Sequence, residues 1–167
     1  MKYGLTAAGV QALAFDIERE LDRLERLAEE IAYVRGEAAG DPTHRRIYTE
    51  NLAFKLHNFY NGCENIFALV TEQLNGAPIS GAGWHRRLLE RMAHAWEDRP
   101  AVLQRETAML LDKFLAFRHV VRSTYGFQLE MDRVDDLVDA YPAAWHAFRR
   151  DVGAFCEQLR ALADTLP

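Results

Sequence analysis

Apolar residues recur every three or four positions through most of the chain, and that periodicity limits the fold to packed helices. Between about Thr6 and Arg35 the series is Val10, Leu13, Ile17, Leu21, Leu24, Ala28 and Ile31, separated by glutamates and arginines. This is the stripe of a long amphipathic helix. Gly36 and Gly40 are expected to end it, and Asp41-Pro42 reads as an N-cap followed by proline at the first helical position. A second long helix then runs to about Leu74 on Leu52, Leu56, Phe59, Cys63, Ile66, Val70 and Leu74, widened by Phe54, Tyr60 and Phe67. A stripe that wide needs more than one neighbour. Asn75-Gly76 stops it, and residues 77–83 form a loop.

A short helix is expected from Trp84 to about Trp96, closed by Asp98-Arg99-Pro100. The next long helix spans about Val102 to Tyr125, with Leu103, Leu110, Leu111, Phe114, Phe117 and Val121 facing inward and Gly126 as the stop. Asp132 to Asp139 reads as a short helical turn. The last helix is expected to start near Pro142 and to carry Trp145, Phe148, Val152, Phe155, Cys156, Leu159 and Leu162. No segment alternates as a strand does, and there is no internal repeat. The expected fold is all-α: an up-down bundle of four long helices with one short additional helix, residues 1–167 forming a single domain.

Composition narrows the function. At 167 residues and 49% hydrophobic, a chain can bury roughly two thirds of its unfolded surface, so one core suffices without metal or disulfide staples. Cys63 and Cys156 lie far apart in apolar helical patterns, which suits buried thiols better than a disulfide or a zinc site. No metal or cofactor is expected: Glu-x-x-His pairs, HExxH, glycine-rich phosphate loops and GxSxG are all absent. No apolar run is long enough to cross a membrane, and the start lacks the apolar core of a signal peptide, so a cytoplasmic location is expected. A net charge of −5 excludes a diffuse basic surface for nucleic acid, and leaves room for a local one.

The densest polar feature on an apolar helix is Phe117-Arg118-His119-Val120-Val121-Arg122-Ser123-Thr124-Tyr125-Gly126. At about 100° per residue, Arg118, Arg122 and Tyr125 share an arc of roughly 60°, with His119 and Ser123 adjoining. Leu111 and Phe114 extend the same arc, so the charges begin where a core-facing surface leaves off. A guanidinium there needs a carboxylate or a phosphate to answer it. Glu64, Glu130 or Asp132 is one kind of answer, and a bound phosphate is the other. A second polar strip, His57, Asn58, Asn61, Glu64 and Asn65, is placed opposite the apolar stripe of its helix, as a solvated face or the lining of a site. Two basic clusters, Thr43-His44-Arg45-Arg46 and His85-Arg86-Arg87 with Arg91 and His94, are of a size that either meets RNA phosphates or is simply solvated.

The Arg118–Tyr125 segment resembles the motif of the HepT-like branch of the HEPN superfamily: Arg, a polar residue, a short helical gap, His, one residue, Tyr. The segments Leu56–Phe67 and Trp84–Leu89 are similar to HepT-like proteins in order and spacing, so the resemblance runs from the second helix to about Phe148. Ser123 stands where the motif has histidine. The resemblance implies a toxin that cleaves RNA without metal, silenced by a minimal nucleotidyltransferase antitoxin that adds adenylate to Tyr125, and a homodimer that joins two motifs in one cleft. It makes Arg118, His119, Ser123 and Tyr125 the candidate catalytic residues. Arg118 and Arg122 would hold the phosphate, and His119 would stand in for the missing histidine, since serine cannot exchange protons near neutral pH. The alternative implied by Ser123 is a non-catalytic subunit that binds nucleotide, RNA or substrate for the nucleotidyltransferase.

Overall fold

The computed structural model describes residues 5–76, 79–96, 99–123 and 130–166, with the backbone alone at 119 and 121–123. Five α-helices follow in order: α1 Ala7–Gly40, α2 Arg45–Leu74, α3 Trp84–Met92, α4 Arg105–Ser123 and α5 Met131–Ala163, with a 3-10 turn at Pro42–His44 before α2. No strand occurs among the described residues, where Trp96 and Arg99 make one isolated bridge. The all-α bundle of four long helices and a short one is therefore the observed architecture.

Side-chain links across the helices give the direction of each. Glu30 pairs with Lys55 and Glu20 accepts from Asn65, so α1 and α2 run antiparallel. Arg35 meets Asp139, Arg149 meets Glu25 and Arg160 meets Glu18, which makes α5 antiparallel to α1. Asp151 on α5 accepts from the Gln104 backbone N–H at 2.8 Å and from the Thr107 hydroxyl at 2.5 Å, tying the start of α4 to the far half of α5. The sequence of directions is up, down, up, down. α2 touches α1, α3, α4 and α5, as its wide stripe required. Where α1 crosses α2, Gly62 lets the helices close up: a Cβ there would lie 2.5 Å from a methyl of Leu24, itself buried.

Several expected boundaries move. Thr6 caps α1, its hydroxyl accepting from the Gly9 N–H at 3.1 Å, and Gly36 does not end the helix, which continues to Gly40. An interior glycine costs only about 1 kcal/mol, and beside it Val34 packs on the core while Arg35 reaches Asp139. Asp41 and Pro42 take the expected N-cap and first positions, but of a 3-10 turn that leads into α2, and the Asp41 carboxylate turns to His44 Nδ1 at 2.7 Å. α3 stops at Met92, short of Trp96, because the Met92 carbonyl accepts from both Val102 and Leu103 N–H and folds the chain back.

The largest correction is at Pro142. It lies inside α5, where a turn and a separate helix start were expected. Proline costs about 3 kcal/mol there. Against that, Val134, Leu137, Val138 and Tyr141 are buried ahead of it in register with Ala144 and Phe148 behind it. At about 1.5–3 kcal/mol per buried side chain, continuing one stripe outweighs the break. Phe54 also departs from expectation: it is 61% exposed, while Tyr60 and Phe67 are fully buried.

Cys63 and Cys156 are both free and buried. Burial pushes the Cys156 thiol up to about 12 and raises that of Cys63 as well, with Glu64 adding to the Cys63 shift, so both stay protonated at neutral pH. No described helix is long and apolar enough to cross a membrane.

Candidate functional site

On α4, Leu111, Phe114, Leu115 and Phe117 are buried, and Arg118 continues that surface at 8% exposure. The desolvated guanidinium expected from the helical arc is thus present, and a carboxylate answers it. Arg118 Nε donates to Asn61 Oδ1 at 3.0 Å and lies 3.4 Å from Glu64 Oε2. Both partners come from α2, on the strip that had been placed opposite the apolar stripe. That strip divides: Glu64 is buried, Asn61 half-buried, and Asn65 turns away to Glu20 of α1.

The third element is α3. Gly81 and Gly83 take positive φ, 90° and 69°, and the second of these sits at the N-cap of α3. This left-handed turn is glycine territory. It brings the first two helical residues, Trp84 and His85, against α2 and α4, and the Arg87 guanidinium holds the loop by donating to the Ser80 carbonyl. His85 Nδ1 is 2.6 Å from Glu64 Oε1, and the Trp84 and His85 rings stack with centroids 3.6 Å apart. Arg118 Nη1 is 3.0 Å from His85 Nε2 and 3.4 Å from Nδ1.

These distances select the tautomer that a neutral imidazole would adopt here. Glu64 can only accept and Arg118 can only donate, so a neutral His85 carries its proton on Nδ1, toward Glu64, and its lone pair on Nε2. An atom on the axis of that lone pair would be much farther from Nδ1 than from Nε2. Nη1 is nearly equidistant from the two, so it lies over the ring face between the nitrogens. One carboxylate thereby serves two groups, Oε2 facing the guanidinium and Oε1 orienting the imidazole.

Tyr60 lies beneath this cluster, one turn before Glu64. Its hydroxyl is buried and without a hydrogen-bond partner among the described residues. Burial first, and the neighbouring Glu64 charge second, raise its phenol far above the ordinary range.

Of the four candidate catalytic residues, Arg118 has a described side chain, and it is paired with Glu64, one of the acids that could answer it. The side chains of His119, Arg122 and Ser123, and the whole of Tyr125, lie outside the described residues. The basic clusters are engaged locally: Arg45 with Asp135, Arg46 with Glu50, Arg86 with Asp112, and Arg91 over the Trp96 ring. His85 is the residue that sequence reasoning passed over, counted as one more base among Arg86, Arg87 and Arg91. Among the described residues no three His, Cys, Asp or Glu side chains gather as a metal ion would need.

A family model described as HepT-like protein matches residues 51–159, about two thirds of the chain. The match runs from α2 into α5, and so takes in Asn61, Glu64, His85 and Arg118. No curated protein and no solved structure matches.

Proposed function

The chain belongs to the HepT-like protein family, and we propose that it acts, as one helical domain in the cytoplasm, as a HEPN-type toxin that cleaves RNA without metal and is paired with a nucleotidyltransferase antitoxin. The observation that carries this reading is the buried Arg118 guanidinium, oriented through Nε by Asn61 and Glu64 on the segment that carries the family motif. Cleavage by the adjacent ribose 2′-hydroxyl passes through a phosphorane bearing extra negative charge. A pre-oriented, poorly hydrated cation is the group that stabilises it most. With net charge −5, RNA affinity must be local, and a homodimer would bring two such sites into one cleft.

Removing one such electrostatic donor costs about 10²–10³-fold in rate. Wild-type protein is therefore expected to cut RNA in EDTA, and Arg118→Lys, which keeps the charge but loses the planar fork, to be slower by about that factor. Cleavage equal in the two overturns the reading. Ser123, in place of the motif histidine, favours a second reading: a subunit that binds nucleotide or RNA without cutting it. Arg118-dependent binding with no cleavage by wild type would establish that one instead.

Tyr125, three residues beyond Arg122, is the proposed point of control. An adenylate phosphate there would compete for the same guanidinium as the RNA phosphate. Incubation with ATP, magnesium and an active nucleotidyltransferase is expected to add adenylate mass to wild type and none to Tyr125→Phe. Equal modification of both chains removes Tyr125 from the scheme.

A further inference from the structure

We propose that His85, aligned by Glu64, is the proton-transfer residue of this site and replaces the histidine that Ser123 has displaced from the motif. This rests on the RNA-cleavage reading above and adds the group that reading lacks. Four features of the structure converge on it. Glu64 Oε1 at 2.6 Å from Nδ1 holds the ring in one tautomer, with the basic lone pair on Nε2. The stacked Trp84 ring restricts rotation about the other axis. Arg118 Nη1 lies over the ring face, 3.0 Å from Nε2 and 3.4 Å from Nδ1. And His85, unlike the motif position, belongs to α3, so a substitution on α4 leaves it in place.

The pairing brings base and cation together on one carboxylate. A phosphate held by Arg118 would carry its ribose within reach of the imidazole. In the step proposed, Nε2 takes the proton of the 2′-hydroxyl while O2′ forms a bond to phosphorus. The P–O5′ bond breaks, and the leaving 5′-oxygen takes a proton from water. The imidazolium then returns its proton to the hydroxide so formed. The products are a 2′,3′-cyclic phosphate and a 5′-hydroxyl, with no metal and no redox partner.

His85→Gln keeps a hydrogen-bond donor toward Glu64 and removes the proton acceptor. It is expected to slow cleavage in EDTA by ~10²-fold, the lower range for general acid–base groups, with binding of a 2′-deoxy RNA that cannot be cleaved left unchanged. Two further measurements separate chemistry from structure. Added imidazole should restore cleavage to His85→Ala, and the double variant His85→Gln with Ser123→His should recover it by supplying the motif histidine. Arg118-dependent cleavage by wild type that persists undiminished in His85→Gln overturns the assignment while leaving the RNA-cleavage reading standing. Slow cleavage in His85→Ala that imidazole does not restore, and that Ser123→His does not recover in the His85→Gln background, also overturns it. A wild type that never cleaves overturns both.

Discussion

Glu64→Ala is expected to destabilise the protein by about 3–5 kcal/mol, because it strands a buried guanidinium without its carboxylate. Glu64 is 7% and Arg118 8% exposed, so water cannot take over the lost contact as it would at the surface. For a chain of this size that corresponds to a fall in Tm of about 6–20 °C. The loss belongs to the unpaired charge more than to any net worth of the pair. Adding Arg118→Met to Glu64→Ala should therefore return much of the stability, since apolar replacement of a whole buried pair is often neutral or better. Glu64→Gln should fall between, keeping a hydrogen-bonding group toward His85 and Arg118 while losing the charge. Thermal and urea unfolding of the four chains checks the series. A Glu64→Ala loss below about 1 kcal/mol, the scale of exposed pairs, would mean that Arg118 is answered by some other group.

The same three residues explain how far the site could be read from the sequence. Arg118 was legible because its helix carries Leu111 and Phe114 on the same arc, and a charge continuing an apolar surface must meet a partner. Glu64 was legible only as one of three acids that could answer it. What hid its role was the period of α2: residues 57, 58, 61, 64 and 65 form a polar strip, and periodicity places such a strip toward solvent unless another element covers it. The cover is α3, a nine-residue helix delivered by a loop whose glycines take positive φ, and nothing within α2 announces it. His85 was masked by its neighbours, since Arg86 and Arg87 do lie at the surface or on the loop. The signal that could have singled it out is position: it follows Trp84 at the first turn of a helix entered through Gly-Ala-Gly. Pro142 misled in the opposite way. The rule that proline ends helices is local, whereas the stripe of α5 extends well beyond it on both sides, and the longer-range burial wins.

Phe59→Ala is expected to cost about 3–5 kcal/mol as well, by cavity formation in the place where three helices meet. The Phe59 ring is fully buried and packs edge-on against Phe114 of α4 at 5.3 Å and against Tyr141 and Phe148 of α5 at 5.0 and 6.2 Å. Trp145 adds a fourth edge contact at 6.3 Å. Each such ring pair contributes about 0.5–1.5 kcal/mol beyond the area it buries, although contacts sharing one ring do not add independently. Phe59→Leu retains most of the apolar volume and loses the ring edges, so the difference between the two variants measures the aromatic share. The consequence reaches the site through register. Phe59 on α2 and its partner Phe114 on α4 each lie within about a turn of the residues that meet at the site, Asn61 and Arg118, so this contact bears on the spacing of the two helices there. Phe59→Leu, which should remain folded, is therefore expected to slow RNA cleavage more than it weakens RNA binding, because a small displacement between α2 and α4 acts on orientation first. Equal losses in binding and cleavage would show that the ring supports the fold without setting the geometry of the site.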